Sequence, residues 1–447
     1  MNVIETMQLV EKHIIRRGDE RFERLDEVCF RAKNVYNAAN YQLRQRLFAG
    51  NGRWSYVEQE KQFKAADLLP DQQLPLKVVQ QVLKGLHQDW DSFGAAKAEW
   101  VAHPEKFKGC PRLPGYKHKT KGRGVLVFTA QAISKTALRQ GEIVLSGLKV
   151  CVKTNRRSVD QVRVVPRGGH YLIEVVYTCP VVDNHLAETL YAGLDVGVDV
   201  VAALASNKPD FKPVLINGRP LKALNQYYNK NRAELQSQLP AGQYDSRRLQ
   251  ALTFARQRRI DSLLHLSSGY IVKLLVREGI GNLVIGKNDW WKQEVEMGKR
   301  GNQNFVNIPH ARFIDLLSYK AKRAGIKVVL TEESYTSKCS FLDRESVEKH
   351  DSYLGKRVSR GLFRTSDGRI MQADLNGACN IIRKVAPTAF DTLSDIHLFG
   401  ERLNPGMMEK HLQKWKHDEV VGRSLRKVSS SAPGESANLQ TQMSAIR

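Results

Sequence analysis

Residues 191–206 read YAGLDVGVDVVAALAS, a stretch that places one carboxylate inside an apolar run. Apolar residues flank Asp195 on both sides, and a second apolar run extends from Val200 to Leu204. A buried strand excludes a carboxylate unless a partner offsets its desolvation, which costs several kcal/mol. Asp195 therefore either accepts backbone hydrogen bonds at a strand end or binds a divalent metal ion.

Two later stretches place acids in a similar setting. The predicted strand Ile326–Thr331 is followed by Glu332 and Glu333, and Asp374 stands at the start of a predicted helix. Carboxylates that converge in space cannot all stay ionised without a cation. Two divalent ions about 3.5–4 Å apart would stabilise the attacking and leaving oxygens of a phosphodiester. Asp195, Asp374 and one of the two glutamates are therefore the candidate ligands for Mg²⁺ or Mn²⁺.

The charge of the chain indicates its class of partner. Among 447 residues, 70 Lys and Arg stand against 46 Asp and Glu, which leaves a net charge of +24. Such an excess favours a polyanion, either nucleic acid or an anionic membrane. The basic residues are spread along the whole chain and not gathered on one amphipathic helix, which favours nucleic acid. Together with the acids, this predicts a metal-dependent nuclease with an RNase H-like core.

The cysteines and the apolar runs suggest a location. Six cysteines are scattered without a CxxC pair, and the N-terminus lacks the apolar core and cleavage site of a signal peptide. No run of about 18 apolar residues is present. These features predict a reducing compartment and no membrane partner, so we expect a cytoplasmic protein associated with the nucleoid.

The first 184 residues change their hydrophobic period twice. Residues 1–15 read as a strand, residues 16–105 carry two apolar stripes of helical period, and short β segments follow from residue 125. The pattern predicts a β-rich domain, residues 1–15 and 106–184, with a helical domain inserted at 16–105.

A basic arm, KFKGCPRLPGYKHKTKGR, occupies residues 106–123 and contains prolines and glycines that exclude a helix. Cations interleaved with aromatic residues suit phosphate contact and base stacking, although a solvated loop is the simpler alternative. Arginines at helical spacing near residue 257 suit a nucleic-acid backbone, or else form a solvated face. The candidate nucleic-acid contacts are Lys106, Lys108, Arg112, Tyr116, Lys117, Lys119, Lys121, Arg123, Arg256, Arg258 and Arg259.

The second half of the chain reads as an α/β domain. Predicted strands and helices alternate over residues 185–385, and the periodicity fades beyond Pro387. From about Asp418 the sequence is polar and rich in Ser and Gln. Residues 386–447 are therefore predicted to be a disordered tail.

Three ordered motifs carry a family resemblance. GLDVG at 193–197, SYTS at 334–337 and DLNGACNI at 374–381 resemble signatures of TnpB, the transposon-encoded RNA-guided nuclease, whose core is similar to that of type V CRISPR effectors. The resemblance extends over about residues 1–385. It implies a RuvC-like nuclease domain at 185–385 and a β-barrel-like wedge domain with an inserted helical recognition domain. It also implies a guide RNA, a short transposon-adjacent DNA motif read by the protein, and cleavage of double-stranded target DNA.

The chain departs from the family pattern at two places. The family usually has a glutamate at the end of the strand matched here by Asn282–Ile285, but residue 286 is glycine. Some relatives carry this acid on the neighbouring strand, so Glu333 is the expected second catalytic acid, with Glu332 as the alternative. At the zinc-ribbon position, residues 338–370, only Cys339 is present, with Cys379 nearby. A structural zinc ion needs four ligands, so none is expected.

Two other functions remain open. An RNA-guided protein that binds DNA but does not cut it would act as a repressor. A guide-independent transposase or nuclease would share the same RNase H-like core.

Overall fold

The computed structural model describes residues 5–65, 74–287, 308–393 and 395–430. The chain divides into two compact units. Unit 1 comprises Met1–Pro180 with Ala241–Ala251, and unit 2 comprises Val181–Pro240 with Leu252–Arg447.

Unit 1 contains a helical segment between the strands of one sheet. Strand β1 and helices α1 to α3 come first, at Thr6–Arg16, Arg21–Phe48, Tyr56–Ala65 and Leu76–Ala102. Strand β2, helix α4 and strands β3 to β6 follow, at Leu126–Thr129, Lys135–Arg139, Glu142–Leu145, Val150–Lys153, Gln161–Arg167 and His170–Pro180. The described strands form a four-stranded antiparallel sheet of order β1-β6-β5-β2 and a separate β3-β4 hairpin.

The helices and the sheet of unit 1 share a single hydrophobic core. Leu25 of α1, Leu83 of α3, Phe128 of β2 and Ile173 of β6 are all fully buried in it. The described part of residues 16–105 is thus mostly helical, as the period predicts, and its helices pack on the sheet within one compact unit. The described strands form an open sheet and a separate hairpin, so the expected β-barrel-like wedge domain stays a prediction.

Unit 2 begins with strands β7, β8 and β9 at Ala187–Asp195, Val200–Ser206 and Val214–Asn217. Helix α5 covers Arg219–Ser237 and helix α6 covers Arg247–Arg277, whose first residues belong to unit 1. Strand β10, helix α7 and strand β11 follow at Ile280–Lys287, His310–Arg323 and Lys327–Glu332. A small sheet, β12 to β14, occupies Lys356–Ser359, Leu362–Arg364 and Ile370–Gln372. Helix α8, strand β15 and helix α9 complete the unit at Ala373–Val385, Glu401–Leu403 and Pro405–Ser430.

The main sheet of unit 2 has the order β11-β10-β7-β8-β9-β15. Strand β7 pairs antiparallel with β8, as β8 does with β9, whereas β7, β10 and β11 run parallel to one another. Helix α8 packs on β7, where Gly193 permits the approach because a Cβ there would overlap the carbonyl oxygen of Ala378. This mixed α/β architecture is RuvC-like, as predicted, with β15 added at one edge.

The prediction of a disordered tail is wrong for residues 386–430 except Ser394, which lies outside the described residues. Strand β15 pairs with β9, Leu403 is fully buried, and Trp415 of α9 stacks on Tyr270 with ring centroids 5.2 Å apart. A three-residue strand is too short to show a period, and the apolar residues of this segment are too sparse to form an obvious stripe. Residues 431–447 lie outside the described part of the chain.

Among the described residues, no helix combines the length and the hydropathy needed to cross a bilayer. The cysteines are all free, and Cys339 and Cys379 are both buried.

Candidate active site

The three predicted acids lie at neighbouring points of unit 2. Asp195 is the last residue of β7, Glu333 directly follows β11, and Asp374 is the second residue of α8. Strands β7 and β11 run parallel on either side of β10, so both carboxylates emerge at the same edge of the sheet.

Glu333 occupies the space that the missing side chain at Gly286 leaves open. A Cβ built on Gly286 would overlap Oε1 of Glu333 and would lie 2.5 Å from its Cγ. Glu333 is partly buried, whereas the neighbouring Glu332 is exposed. The geometry therefore supports Glu333 over Glu332 as the second acid of the site.

Helix α8 brings Asp374 towards Asp195. A Cβ on Gly377 would lie 2.7 Å from Oδ2 of Asp195, so this glycine leaves room for the carboxylate. Asp374 stands three residues before Gly377 and therefore lies on the same face of the helix. Asp374 and Gly377 of the DLNG motif therefore both belong to the site that contains Asp195.

Burial raises the pKa of all three acids, and repulsion by a neighbouring acid adds to this shift for Asp195 and Glu333. Burial, with the charge of Asp374, raises the pKa of Asp195 to about 7. Burial and the charge of Asp195 raise the pKa of Glu333 to about 8, against the opposing charge of Lys384. Burial also raises the pKa of Asp374, against the opposing charge of Arg357. Asp195 thus couples electrostatically to both other acids.

Two buried amides fix the loop that follows Glu333. Asn380 Nδ2 donates to the carbonyl oxygens of Thr336 and Cys339 at 3.0 and 2.8 Å. Asn376 Nδ2 donates to Cys339 O at 2.8 Å, and its Oδ1 accepts from the N–H of Phe341 at 2.9 Å. These positioning residues were missed in the sequence, where two asparagines four apart on an apolar helix were their only signal.

The acids offer the donor set of a hard divalent cation. All three provide carboxylate oxygens, the ligands that Mg²⁺ and Mn²⁺ prefer. Oε1 of Glu333 is buried and has no hydrogen-bond partner, and a cation would satisfy it. Within the described ranges, no three acid, His or Cys side chains are already gathered as metal ligands.

We expect neutralisation of Glu333 to stabilise the metal-free protein at alkaline pH. The folded-state pKa of Glu333, about 8, lies above its ordinary value of 4.5. The contribution of Glu333 to the free energy of unfolding is therefore fully present below pH 4.5 and is lost as the pH rises through 8. In EDTA at pH 9, Glu333→Gln should raise Tm by roughly 3–8 °C, and near pH 5 by much less. Thermal unfolding at both pH values measures this, and a lower Tm of the variant at pH 9 would contradict it.

The basic arm lies along α1 in unit 1. Lys33 Nζ donates to Lys119 O at 2.6 Å, and Asn37 Nδ2 donates to Lys117 O at 2.9 Å. Lys106 forms an ion pair with Glu99 and Arg123 forms one with Asp26, so each of these two candidate residues has a carboxylate partner within unit 1. The exposed candidate residues of the arm are Lys106, Lys108, Arg112, Tyr116, Lys119 and Lys121, whereas Lys117 and Arg123 are partly buried.

The candidate arginines of α6 also divide into two groups. Arg256 Nε donates to Asn225 Oδ1 at 2.8 Å, and its guanidinium lies over the ring of Tyr228. Arg256 therefore joins α6 to α5, whereas Arg258 and Arg259 are exposed.

Two family models match parts of the chain, mostly within unit 2. The model of a probable transposase, OrfB_IS605, matches residues 174–291, and the model of a Cas12f1-like TNB domain matches residues 310–381. The first match contains Asp195 and Gly286, and the second contains Glu333 and Asp374.

The chain is also similar in part to individual known proteins. The TnpB-like protein ORF457 of Acidianus two-tailed virus is 27% identical over 203 residues, which are 43% of this chain and 41% of that protein. The chain thus matches less than half the length of this relative. A Cas12f1–sgRNA–target DNA complex has a protein chain of similar fold, with TM-score 0.51, 14% identity and 82% of each chain covered. The mini-RNA-guided endonuclease CRISPR-Cas_phi3 has TM-score 0.46 at 10% identity, over 88% of this chain and 94% of that one.

The OrfB_IS605 match, the Cas12f1-like TNB match and the TnpB-like viral relative agree with the RuvC-like order of the main sheet and with the acids at its end. Over the matched residues, the chain is similar to these proteins.

Proposed function

We propose that this protein is an RNA-guided DNA endonuclease. The observation that carries the proposal is the carboxylate of Glu333, which fills the position left open by Gly286 beside Asp195. In a nuclease that had lost its second acid, a glycine packed against a partly buried glutamate with a raised pKa would have no function. Desolvating such a group has a cost, and this cost supports a functional role.

Asp195, Glu333 and Asp374 are the proposed ligands of Mg²⁺ or Mn²⁺. A bound divalent ion would supply charge stabilisation for the phosphodiester and would help to activate a water molecule as the nucleophile. The chain places its three partly buried acids at one end of the sheet, and Asn376 and Asn380 fix the loop that follows Glu333. Lys384 Nζ donates to Glu332 O at 2.9 Å and to Ser334 Oγ at 3.0 Å, which ties the same loop to α8.

Guide RNA and double-stranded target DNA are the proposed partners. The related Cas12f1 structure is described as a complex with sgRNA and target DNA. The net charge of +24 and the exposed cations of the arm and of α6 fit the same two polyanions. We infer that the protein reads a short motif in the DNA, leaves the sequence match to the guide, and is found at the nucleoid.

The basic arm should contribute phosphate contacts. We expect Lys119→Glu with Lys121→Glu to weaken DNA binding for all sequences and to reduce the salt slope of log K by about 1–2, because two counterion-releasing contacts are lost. Fluorescence anisotropy at a series of salt concentrations measures this. Lys61→Glu with Lys64→Glu on α2 makes the same charge change outside the arm and is the control. Equal salt slopes for the two double variants would show that the arm does not contact the DNA.

One experiment separates the three functions. The protein is purified with its nucleic acid, the RNA is sequenced, and DNA matched to that RNA is offered with Mg²⁺ or Mn²⁺. Cleavage only of matched DNA supports the proposal. Binding of matched DNA without cleavage supports the repressor, and cleavage without any co-purifying RNA supports the guide-independent nuclease.

A further inference from the structure

A cavity of about 820 Å³ in unit 2 is lined by Asp374 and by an excess of positive charge. Its walls come from the turn after β7, the start of α5, the β12-β13 hairpin and β15. The charged residues that line it are five cations and two carboxylates: Arg219, Lys222, Arg357, Arg360, Arg402, Asp199 and Asp374.

Asp199 is already neutralised by its neighbours. Both Lys222 and Arg360 form ion pairs with its carboxylate. Burial and the charge of Arg219 lower the pKa of Lys222, which shows that the cations repel one another. The charge of Asp199 is therefore not available to balance the remaining arginines.

The other three arginines have only one carboxylate in the cavity. Arg357 Nη2 lies 3.6 Å from Asp374 Oδ1, and the charge of Arg402 also lowers the pKa of Asp374. Across the described ranges, neither Arg219 nor Arg402 has a carboxylate ion-pair partner within 4.0 Å. The wall beside the proposed catalytic acid is thus short of negative charge.

The fold fixes the backbone positions of Arg219 and Arg402, two of the cations that line the cavity. A Cβ at Gly218 would overlap the carbonyl oxygen of Val198, and the Gly218 N–H donates to Asp199 O at 2.9 Å. Because of this contact, the start of α5 packs against the turn after β7, and Arg219 lies at the cavity. Arg402 is placed by β15, where it stands opposite Leu215 of β9.

We infer that this cavity binds a phosphate of the DNA strand adjacent to the bond that is cut, with Arg219 and Arg402 as its principal ligands. A guanidinium group presents paired donors that match two oxygens of a phosphodiester. The inference rests on the proposed function and deepens it. It also gives a role to the segment after residue 385, since Arg402 lies outside both family matches.

Methylphosphonate substitution tests the site, because it removes the charge of one phosphate at a time. We expect one position next to the scissile bond to lower cleavage by the wild type about 10-fold, the worth of one charge-assisted contact. The variant Arg219→Gln with Arg402→Gln should cut all-phosphate DNA about 10-fold or more slowly and should lose the sensitivity at that position. Arg364→Gln, an exposed arginine that does not line the cavity, is the control and should keep the wild-type pattern. An unchanged pattern in the double variant would overturn the inference.

A second measurement separates this inference from the proposed function. Should the wild type cut no DNA with either metal, the proposed function fails, and the cavity is judged by the affinity of a single-stranded DNA pentanucleotide in Ca²⁺. About 10-fold weaker binding by the double variant than by Arg364→Gln supports the phosphate site. Equal affinities overturn it.

Discussion

Replacement of Glu333 by Gln is expected to lower the rate of DNA cleavage by about 10³-fold or more, because a lost metal ligand removes several kcal/mol of transition-state stabilisation. Binding of guide-matched DNA should change little, since the carboxylate is partly buried and contributes no positive charge. The measurement is single-turnover cleavage with Mg²⁺ or Mn²⁺, beside anisotropy binding in Ca²⁺. Asp195→Asn and Asp374→Asn should show the same separation of cleavage from binding.

Glu332→Gln is the matched control, because it makes the same chemical change one residue earlier on an exposed side chain. We expect it to keep cleavage within about threefold of wild type, as a surface substitution away from the metal would. Full activity of Glu333→Gln together with an inactive Glu332→Gln would shift the second acid by one residue. Loss of DNA binding in Glu333→Gln would instead indicate a structural role for this side chain.

The sheet and its first acid were readable from the sequence because they depend on local pattern. A carboxylate between apolar residues is costly, so Asp195 marked a strand end, and β7 does end there. The structure also supports Glu333 at the site, which the glycine at 286 suggested. What no pattern could establish was that the three acids lie at the same end of one sheet, since β7, β11 and α8 are far apart in sequence.

The parts that were missed depend on long-range contacts. β15 is three residues long, and its stability comes from pairing with β9 and from burial of Leu403, neither of which leaves a local signal. Whether an arm cation has a carboxylate partner depends on acids that are distant in sequence. Asp26, for example, precedes its partner Arg123 by 97 residues. The cavity beside Asp374 likewise draws its arginines from α5, the β12-β13 hairpin and β15.

Gly286 is the residue at which a single methyl group should have a large effect. In the wild type, a Cβ there would overlap Oε1 of Glu333 and would lie 2.7 Å from Cδ1 of Ile381. Gly286→Ala should therefore displace the Glu333 carboxylate and lower cleavage by about 10²-fold or more, since catalytic geometry tolerates roughly 0.5 Å of error. Ala202→Gly on β8 is the control, because it removes a methyl group from a neighbouring strand instead of adding one beside Glu333. It should lower the stability of the protein more than its rate of cleavage.

The same overlap predicts a rescue. Glu333→Ala removes the side-chain atoms that a residue at 286 would meet, so Gly286→Glu in that background can point its carboxylate into the vacated space. Only the flexible end of Ile381 must then move. We expect Glu333→Ala alone to be inactive, and the double variant to recover at least about 10-fold in cleavage rate, with incomplete recovery because the new carboxylate starts from β10 and not from the end of β11. Single-turnover cleavage of guide-matched DNA by wild type and the two variants measures this.

Gly286→Gln in the same background is the matched control, because it has the same size without the charge and should restore nothing. Equal activity of the Glu and Gln double variants would show that the space beside Gly286 needs filling but not a metal ligand.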